Sequence, residues 1–575
     1  MPFQLSPGVN VSEIDLTTVV PSVSTTTGAY AGAFQWGPGN KKIQITSESV
    51  LNQTFGSPDS NTYISYFTAA SFLAYASDLR VVRGVGANAK NATSNTTTIQ
   101  VVNEDIFEGS YLYSLNANTY GSFMARYPGA MGSSITVATI DAGAAAQFAT
   151  WNVATSAGNI GISNYFTAAP GTSAQAASQG SSNDQIHILV MDTGGKFSGT
   201  KNTVLEVYPF LSKASDAKDS LGNSAYYKNA IFKNSKYIYA VDPVNYANTS
   251  ATWGNTLASG TAFATNANPI TYNLAGGADD QPSDAVLANS YNQFVNADEV
   301  DISLVITGNA DVTIQQWVID NLVNVRKDCV AFVSPPSSAV INQAGNETSN
   351  ITTWYNSLAR STSYAFADSG WKYMFDKYNN VYRWIPLNGD MAGLCVYTDN
   401  IRDAWWSPAG YNRGNLKNVV KLAWNPNKTF RDTLYSMGVN PVGTFPGQGT
   451  VLFGDKTLQS QPSAFDRINV RRLFIVLEKA IARAAKYSLF EFNDDFTRAQ
   501  FVALVTPFLR DIQGRRGITA FQVVCDTTNN TGQVIDSNQF VGDIYVKPAR
   551  SINFIQLNFV AVRTGVNFSE VVGQF

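Results

Sequence analysis

The stretch at residues 298–336 indicates how this chain folds. It reads DEVDISLVITG at residues 298–308, VTIQQWVIDNLVNVRK at 312–327 and DCVAFVSPP at 328–336. The outer two segments contain short apolar runs of the kind that form buried strands, whereas the middle one places apolar residues at helical spacing. A helix of this length can cross between two parallel strands. The stretch therefore predicts a strand, a helix and a strand of an α/β sheet.

The same α/β pattern extends on both sides of this unit. Between residues 27 and 86 the strand GAYAGAFQWG is followed by the helical stretch YISYFTAASFLAYAS and the strand LRVVRGV. The pattern is interrupted, resumes at DQIHILVMD, and continues into aromatic-rich strands and turns at residues 353–460. We therefore assign residues 23–87 and 186–460 to middle α/β domains.

Residues 88–185 have a different character. NAKNATSNTTTIQVV opens a region of short alternating runs and loops rich in Ala, Gly and Ser, with few charges, which ends in SAQAASQGSSND. Alternation over short runs predicts strands, and such loops indicate exposure to solvent. We expect residues 88–185 to form an inserted outer β domain.

The last section, residues 461–575, is again α/β. Its first helix, FDRINVRRLFIVLEKAIARAAKYSLF, has Leu473, Leu477, Ala480 and Ala484 at helical spacing. A second helix, DDFTRAQFVALVTPFLRDI, contains Pro507, which predicts a kink or an early end. Strands including GITAFQVVCD and QFVGDIYVKPA follow. The whole chain is thus predicted to be a mixed α/β, or α+β, multidomain protein.

Both ends of the chain carry nearly the same heptapeptide. GVNVSEI at residues 8–14 and GVNFSEV at residues 565–571 share five of seven residues. Both alternate apolar and polar side chains with period two, which predicts short extended strands. We interpret residues 1–22 and the segment from about residue 564 as arms. Their apolar positions are Val9, Val11, Ile14, Val566, Phe568 and Val571.

Composition excludes several classes of protein. The chain has 575 residues, only 14% of them charged, and a net charge of minus 3, so it carries no overall basic signature for nucleic acid. No apolar run approaches 18 residues, which argues against membrane insertion, and the N-terminus lacks the features of a secretory signal. The three separated cysteines, Cys329, Cys395 and Cys525, are expected to be buried and reduced.

Positive charge is concentrated in one helix. Residues 463–575 contain 13 basic and 10 acidic residues, and most of the basic excess lies between residues 467 and 486. A solvated helix face explains such a stripe, and so does a surface that attaches to an acidic partner. The candidates for attachment are Arg472, Lys479, Arg483 and Lys486.

Residues that carry enzyme chemistry are scarce. His187 is the only histidine, which disfavours His-based metal sites and Ser-His or Cys-His pairs. GGKFSGTK lacks the Lys-Ser/Thr order of a phosphate loop. The carboxylate pairs Asp279–Asp280 and Asp494–Asp495 could serve a glycosidase or bind calcium, but Asp494 and Asp495 precede a helix, where capping explains them more simply. We therefore expect no enzyme activity, no catalytic residue, no metal and no cofactor.

Three segments of the second half, taken together, resemble one known family. They are SPAGYNRG at residues 407–414, LYSMGVNPVGTFPGQGTVLFGDKT at 434–457 and RINVRRLF at 467–474. PGVNVSEID, ARYPGAMGSSITV and DQIHILVMDTGGKFSGT agree as well. The chain resembles contractile tail sheath proteins, especially those of T-even-type phages and, more distantly, those of R-type pyocins and type VI secretion systems.

The resemblance implies a structural subunit of the virion tail. In that family, identical subunits form a helical tube around an inner tail tube, assemble in the bacterial host cytoplasm, and contract to drive the tube through the host envelope. Expected partners are other copies of the chain, the tail tube protein, and baseplate and tail terminator proteins, without direct contact to nucleic acid. The C-terminal domain would be the inner α/β sheath core, and the arms would add strands to neighbouring subunits.

One alternative function is compatible with parts of the sequence, and another is disfavoured by it. A carbohydrate-binding or depolymerising tail protein is suggested by the β content, the Asp pairs and the aromatic cluster AWWSPAGYNRG. An intracellular hydrolase is disfavoured by the single histidine and by the lack of a nucleophile motif.

Overall fold

The computed structural model describes residues 23–112, 117–155, 158–241 and 256–553, together with residue 556. Contacts separate a large unit, Pro21–Ala482, from a smaller one that contains Arg483–Phe575. The predicted arm residues Val9, Val11, Ile14, Val566, Phe568 and Val571 lie outside the described residues.

A seven-stranded sheet forms the centre of the large unit. Its strands are parallel except at one edge, where Ile43–Ile45 runs antiparallel to its neighbour. Leu304 lies opposite both Gly28 and Val330, as a parallel crossover requires. The spatial order is Val439–Asn440, Ala365–Asp368, Val330–Val333, Leu304–Ile306, Gly28–Gly32, Leu79–Arg83 and Ile43–Ile45. The predicted parallel α/β unit at residues 298–336 is confirmed.

The crossover helix is not regular along its length. It begins as an α-helix at Val312–Trp317, continues as a π-helix at Val318–Val323, and ends as an α-helix at Asn324–Arg326. The side chain of Asp311 caps its start by accepting a hydrogen bond from the Ile314 amide at 2.9 Å.

Helices cover both faces of this sheet, which explains why its strands are apolar throughout rather than alternating. Phe67, Phe72 and Leu394 pack on one face, and Ile314, Val318 and Trp354 pack on the other. The helices of the α/β region are Glu48–Phe55, Tyr63–Leu73, Asp284–Asn292, Ser337–Val340, Glu347–Leu358, Asn388–Ile401, Lys428–Met437 and Ile468–Ala485.

Two small antiparallel sheets complete the α/β region. In the first, Trp371–Asp376 pairs with both Val381–Pro386 and Lys421–Leu422. In the second, Val442–Phe445 pairs with Gly449–Leu452.

A separate β region has different boundaries from those predicted. Its four-stranded antiparallel sheet has the order Ile270–Asn273, Ile135–Asp141, Gln185–Asp192 and Thr203–Ser212. The prediction that the insert ends at residue 185 is wrong, because Gln185–Asp192 lies inside this sheet and pairs along its whole length with Ile135–Asp141. The strand is buried on both faces, so its apolar run could not be distinguished from a strand of a parallel sheet.

Shorter elements surround this antiparallel sheet. Two further strand pairs are Phe123–Ala125 with Ile238–Ala240, and Asn152–Thr155 with Gly158–Gly161. The α-helices are Glu104–Ser110, Ala117–Tyr120, Ala174–Ser178 and Tyr227–Asn234. The 3-10 helices are Ala130–Ser134, Ala142–Thr150 and Ser163–Tyr165.

The smaller unit combines helices with one antiparallel pair of strands. After the 3-10 turn Lys486–Ser488, the helix Asp495–Gly514 continues through Pro507 for seven further residues, so the predicted early end does not occur. Ile518–Val524 pairs with Asp543–Pro548, and the short helix Gly532–Asp536 lies between them in sequence.

The cysteine prediction is confirmed, because Cys329, Cys395 and Cys525 are all free and buried. Burial raises the pKa of the Cys395 thiol to about 12. None of the helices in the described part of the chain has the length and apolar character needed to cross a membrane.

Candidate assembly and attachment surfaces

The basic helix Ile468–Ala485 buries one apolar stripe, as its spacing predicted. Leu473, Leu477, Ala480 and Ala484 are all buried. Hydrophobic side chains spaced by three and four residues share one face of a helix, so this stripe is the face that packs. The basic side chains, however, are not all on the opposite, solvated face.

Arg472 lies in the interior, which corrects its assignment to an exposed attachment stripe. Its side chain is only 4% exposed, and its guanidinium forms an ion pair with the Asp399 carboxylate, with Nη1 2.8 Å from Oδ1. Thr25 also donates a hydrogen bond to Asp399. The spacing of charges along one helix could not reveal a partner 73 residues earlier in the chain.

Lys479 is also largely withdrawn from solvent. Its Nζ lies 2.7 Å from Asp301 Oδ1 and donates to the carbonyl of Ile302 at the same distance. The nearby carboxylate compensates its charge. Of the four candidates, Arg483 and Lys486 have exposed side chains, and their role in attachment stays a prediction.

His187 has a structural environment. Its Nε2 donates to the Ala168 carbonyl at 2.8 Å, and its Nδ1 accepts from the Phe210 amide at 2.9 Å. Its ring stacks on Phe166 with centroids 4.4 Å apart, and burial lowers its pKa. Both ring nitrogens are therefore occupied, and the imidazole is held neutral in the core.

The loop GGKFSGTK binds a carboxylate of its own chain. The amides of Lys196, Phe197 and Ser198 all donate to Asp192, at 2.8 to 3.0 Å. These are the backbone donors with which a phosphate-binding loop would hold its ligand. Asp192 fills that position, so the loop is a structural turn.

The two aspartate pairs have structural partners as well. Asp280 accepts from the Asn88 amide, Asp279 accepts from the Ala130 amide, and Asp494 caps the helix Asp495–Gly514 through the Thr497 amide. The described residues contain no group of three or more His, Cys, Asp or Glu side chains suited to a metal ion.

The aromatic cluster at residues 404–414 is a packed corner. Trp405 is buried, and the guanidinium groups of Arg402 and Arg413 lie 5.5 and 5.4 Å from the Trp406 ring centre. Cations therefore occupy the ring positions that a sugar would use for stacking. The carbohydrate-binding alternative is not favoured by this arrangement.

The carboxyl edge of the parallel sheet, where α/β proteins commonly bind ligands, is filled by side chains. The side chain of Asn388 accepts a hydrogen bond from the Gly308 amide and donates one to the Gly308 carbonyl. The backbone amide of Asn388 donates to Ser334 Oγ at 3.1 Å. Ser334 Oγ in turn donates to Asp368 at 2.6 Å. This buried network holds the strand ends together.

Asp368→Asn is expected to remove a pH dependence of stability. Burial raises the pKa of Asp368 to about 8, and the Asp390 charge adds to this effect. Between about pH 4 and pH 8 the folded state therefore holds a proton that the unfolded state has lost, so the free energy of unfolding falls by about 1.4 kcal/mol per pH unit as pH rises. Asparagine imitates the neutral acid and should stabilise the large unit at pH 8.

The measurement is urea unfolding at pH 5 and pH 8, followed by tryptophan fluorescence, because all ten tryptophans lie within Pro21–Ala482. Asp432→Asn, at an exposed carboxyl group, is the matched control. An unchanged pH dependence in Asp368→Asn would show that this carboxyl group is not the cause.

Known tail sheath proteins match this chain over almost its whole length. The tail sheath protein of Vibrio phage KVP40 is 35% identical, with 99% of this chain and 100% of that protein aligned. The tail sheath protein of Enterobacteria phage T4 is 33% identical, with 99% of each chain aligned. The chain belongs to the phage tail sheath family.

Family models and a solved structure agree with this assignment. The phage tail sheath protein central domain matches residues 285–458, and the phage tail sheath C-terminal domain matches residues 460–561. The crystal structure of a sheath tail protein from Desulfitobacterium hafniense superposes with a TM-score of 0.51 at 11% identity, covering 94% of this chain and 100% of that one. The mixed α/β sheath fold is confirmed.

The C-terminal unit of this sheath chain exposes large apolar side chains that sequence analysis missed. Directly after the basic helix, Phe490 and Phe492 are almost fully exposed, at 105% and 84%, and Tyr487, Leu489 and Phe496 are exposed too. Exposed apolar patches of this kind mark interaction sites. The stretch YSLFEFNDDF looks like an ordinary core segment in sequence, so only its environment distinguishes it.

Proposed function

We propose that this chain is the structural subunit of a contractile phage tail sheath. The observation that carries the proposal is identity of 33 to 35% with tail sheath proteins along 99% of the chain. The subunits would polymerise as a helical tube around a tail tube and then contract, driving the tube through the host envelope. The work of contraction would come from rearranged contacts between subunits, without catalysis or a cofactor.

The arms would link the subunits of this polymer. Val9, Val11 and Ile14 of one arm, and Val566, Phe568 and Val571 of the other, would add strands to neighbouring copies. The C-terminal unit has a suitable acceptor, because within the described residues Ile518–Val524 and Asp543–Pro548 pair only with each other. Within the part of the chain that the structure describes, the second edge of each strand is therefore unpaired, and a strand of a neighbouring copy would add there.

Attachment to the tail tube would be weaker and reversible. Arg483 and Lys486 are exposed, and they precede the exposed aromatic side chains of the C-terminal unit. An exposed ion pair contributes only about 0 to 1 kcal/mol and is screened by salt. Many such pairs along an acidic tube would hold the extended sheath and still release together.

The remaining partners follow from the same function. The tube would begin on baseplate proteins and end on a tail terminator protein, and it would reside in the virion tail after assembly in the host cytoplasm. The DNA inside the tail tube would not contact the sheath, which agrees with the net charge of minus 3.

Negative-stain electron microscopy of the purified protein tests the proposed function. Long striated tubes are the expected result. Uniform small particles at high protein concentration would contradict it.

The double variant Arg483→Glu with Lys486→Glu is expected to weaken tube binding about tenfold or more. Reversing these two charges turns attraction to an acidic tube into repulsion at each subunit. The measurement is cosedimentation of sheath protein with purified tail tubes at low and high salt. Lys201→Glu with Lys218→Glu, two exposed lysines of the β region, is the matched control. Tubes that acquire normal extended sheaths from the Arg483/Lys486 variant would refute the role of these residues.

A further inference from the structure

A second concentration of positive charge lies outside the helix that carries the attachment candidates. Residues 402–431 contain six basic residues and one acidic residue, a net charge of plus 5, so the rest of the chain carries minus 8. We call the six cations the basic face. They are Arg402, Arg413, Lys417, Lys421, Lys428 and Arg431.

Ion pairs do not compensate the charge of the basic face within the part of the subunit that the structure describes. Among the described residues, none of the six cations forms an ion pair, and five of them contact aromatic rings instead. Lys421 Nζ lies 5.1 Å from the Tyr373 ring centre, and the Arg431 guanidinium lies 5.2 Å from the Phe445 ring centre. Burial lowers the pKa of Arg413, and the neighbouring charge of Arg402 lowers it further.

Exposed rings continue this surface. Tyr411 packs against Phe445 and Phe453, with centroids 5.6 and 5.8 Å apart, and Arg431 lies over both phenylalanines. Tyr411 and Phe453 are 45% and 42% exposed. Arginine and aromatic side chains together are typical of protein interfaces.

The charge of Lys428 does not serve the stability of the subunit. It is the first residue of the helix Lys428–Met437, whose first turn contains no acidic residue. A cation at a helix N-terminus opposes the helix dipole. The subunit would fold at least as well with a carboxylate there.

We propose that the basic face binds an acidic surface on a second copy of this chain. The proposal rests on the proposed function, because a helical polymer joins two different surfaces of identical subunits. Charge favours a second copy as the occupant, since the chain outside residues 402–431 carries a net charge of minus 8. Asp280 and Asp284, for example, form no ion pair within the described part.

Lys421→Glu combined with Lys428→Glu tests the basic face. The variant is expected to need a protein concentration about tenfold or more higher for tube formation. Its assembly should also be less sensitive to salt than that of the wild-type protein. Light scattering measures assembly, and circular dichroism checks that the variant is folded. Lys201→Glu with Lys218→Glu, which makes the same charge change elsewhere, should assemble as the wild type does.

Carbodiimide crosslinking identifies the occupant. Mixed tubes of nitrogen-14 and nitrogen-15 protein, assembled around tail tubes, should give crosslinks from Lys417, Lys421 or Lys428 to carboxylates of a differently labelled copy. Crosslinks from these lysines only to the tail tube protein would overturn the inference, as would unaltered assembly of the Lys421/Lys428 variant. If the wild-type protein formed no tubes, the proposed function itself would fail, which separates the two outcomes.

Discussion

Removal of residues 1–14, or of residues 565–575, is expected to leave a folded subunit that does not polymerise. Each arm would contribute about four or five backbone hydrogen bonds at about 1 kcal/mol each, together with a few buried apolar side chains. One such link is modest. Repetition of two links per subunit around a lattice makes them act together, so loss of either arm should abolish tube formation.

Electron microscopy and sedimentation measure this effect, and tryptophan fluorescence shows that the large unit remains folded. Point variants sharpen the test, because Val9 and Val11 lie on one side of the predicted strand and Asn10 and Ser12 on the other. Val9→Asp with Val11→Asp should prevent assembly, whereas Asn10→Thr with Ser12→Thr should permit it. Normal sheaths from either truncation would mean that the similarity of GVNVSEI and GVNFSEV is coincidence.

Arg472→Met is expected to destabilise the large unit by about 3 to 5 kcal/mol, because it leaves the Asp399 carboxylate buried without its cation. The pair joins the helix Ile468–Ala485 to the helix Asn388–Ile401, and both partners are at least 94% buried. The loss should be the same at low and high salt, since a buried pair is poorly screened.

Urea unfolding followed by tryptophan fluorescence measures this loss. Arg483→Met, at an exposed position of the same helix, should change stability by less than about 0.5 kcal/mol. The double variant Arg472→Met with Asp399→Leu should recover much of the loss, because it removes both buried charges. If Arg472→Met unfolds at the wild-type urea concentration, the ion pair is not a stabilising contact.

Sequence patterns predicted the α/β region best where local signals were strong. The run from DEVDISLVITG to DCVAFVSPP specified a strand, a crossover helix and a parallel strand, and all three are present. The boundary at residue 185 failed, because Gln185–Asp192 has the same apolar character in an antiparallel sheet as in a parallel one. Pairing partners are set by contacts between distant segments, which no local pattern contains.

The basic helix shows the same limit at the level of single residues. Its spacing correctly placed Leu473 and Leu477 in the core, because helical geometry alone decides which positions share a face. It placed Arg472 and Arg483 together as attachment candidates, yet one is buried against Asp399 and the other is exposed. The basic face at residues 402–431 could have been found by counting charges in windows along the whole chain.

By itself the sequence indicated the family, because its motifs resemble those of tail sheath proteins. It also determined the mixed α/β class and the apolar face of the basic helix, because both depend on periodicity and local spacing. Only the tertiary structure decided which charges remain available for partners. Arg472 and Lys479 are compensated by Asp399 and Asp301, whereas five of the six cations of the basic face lie beside aromatic rings. Whether a charge is compensated depends on carboxylates that folding brings close from distant positions, and electrostatic energy depends on that distance and on burial.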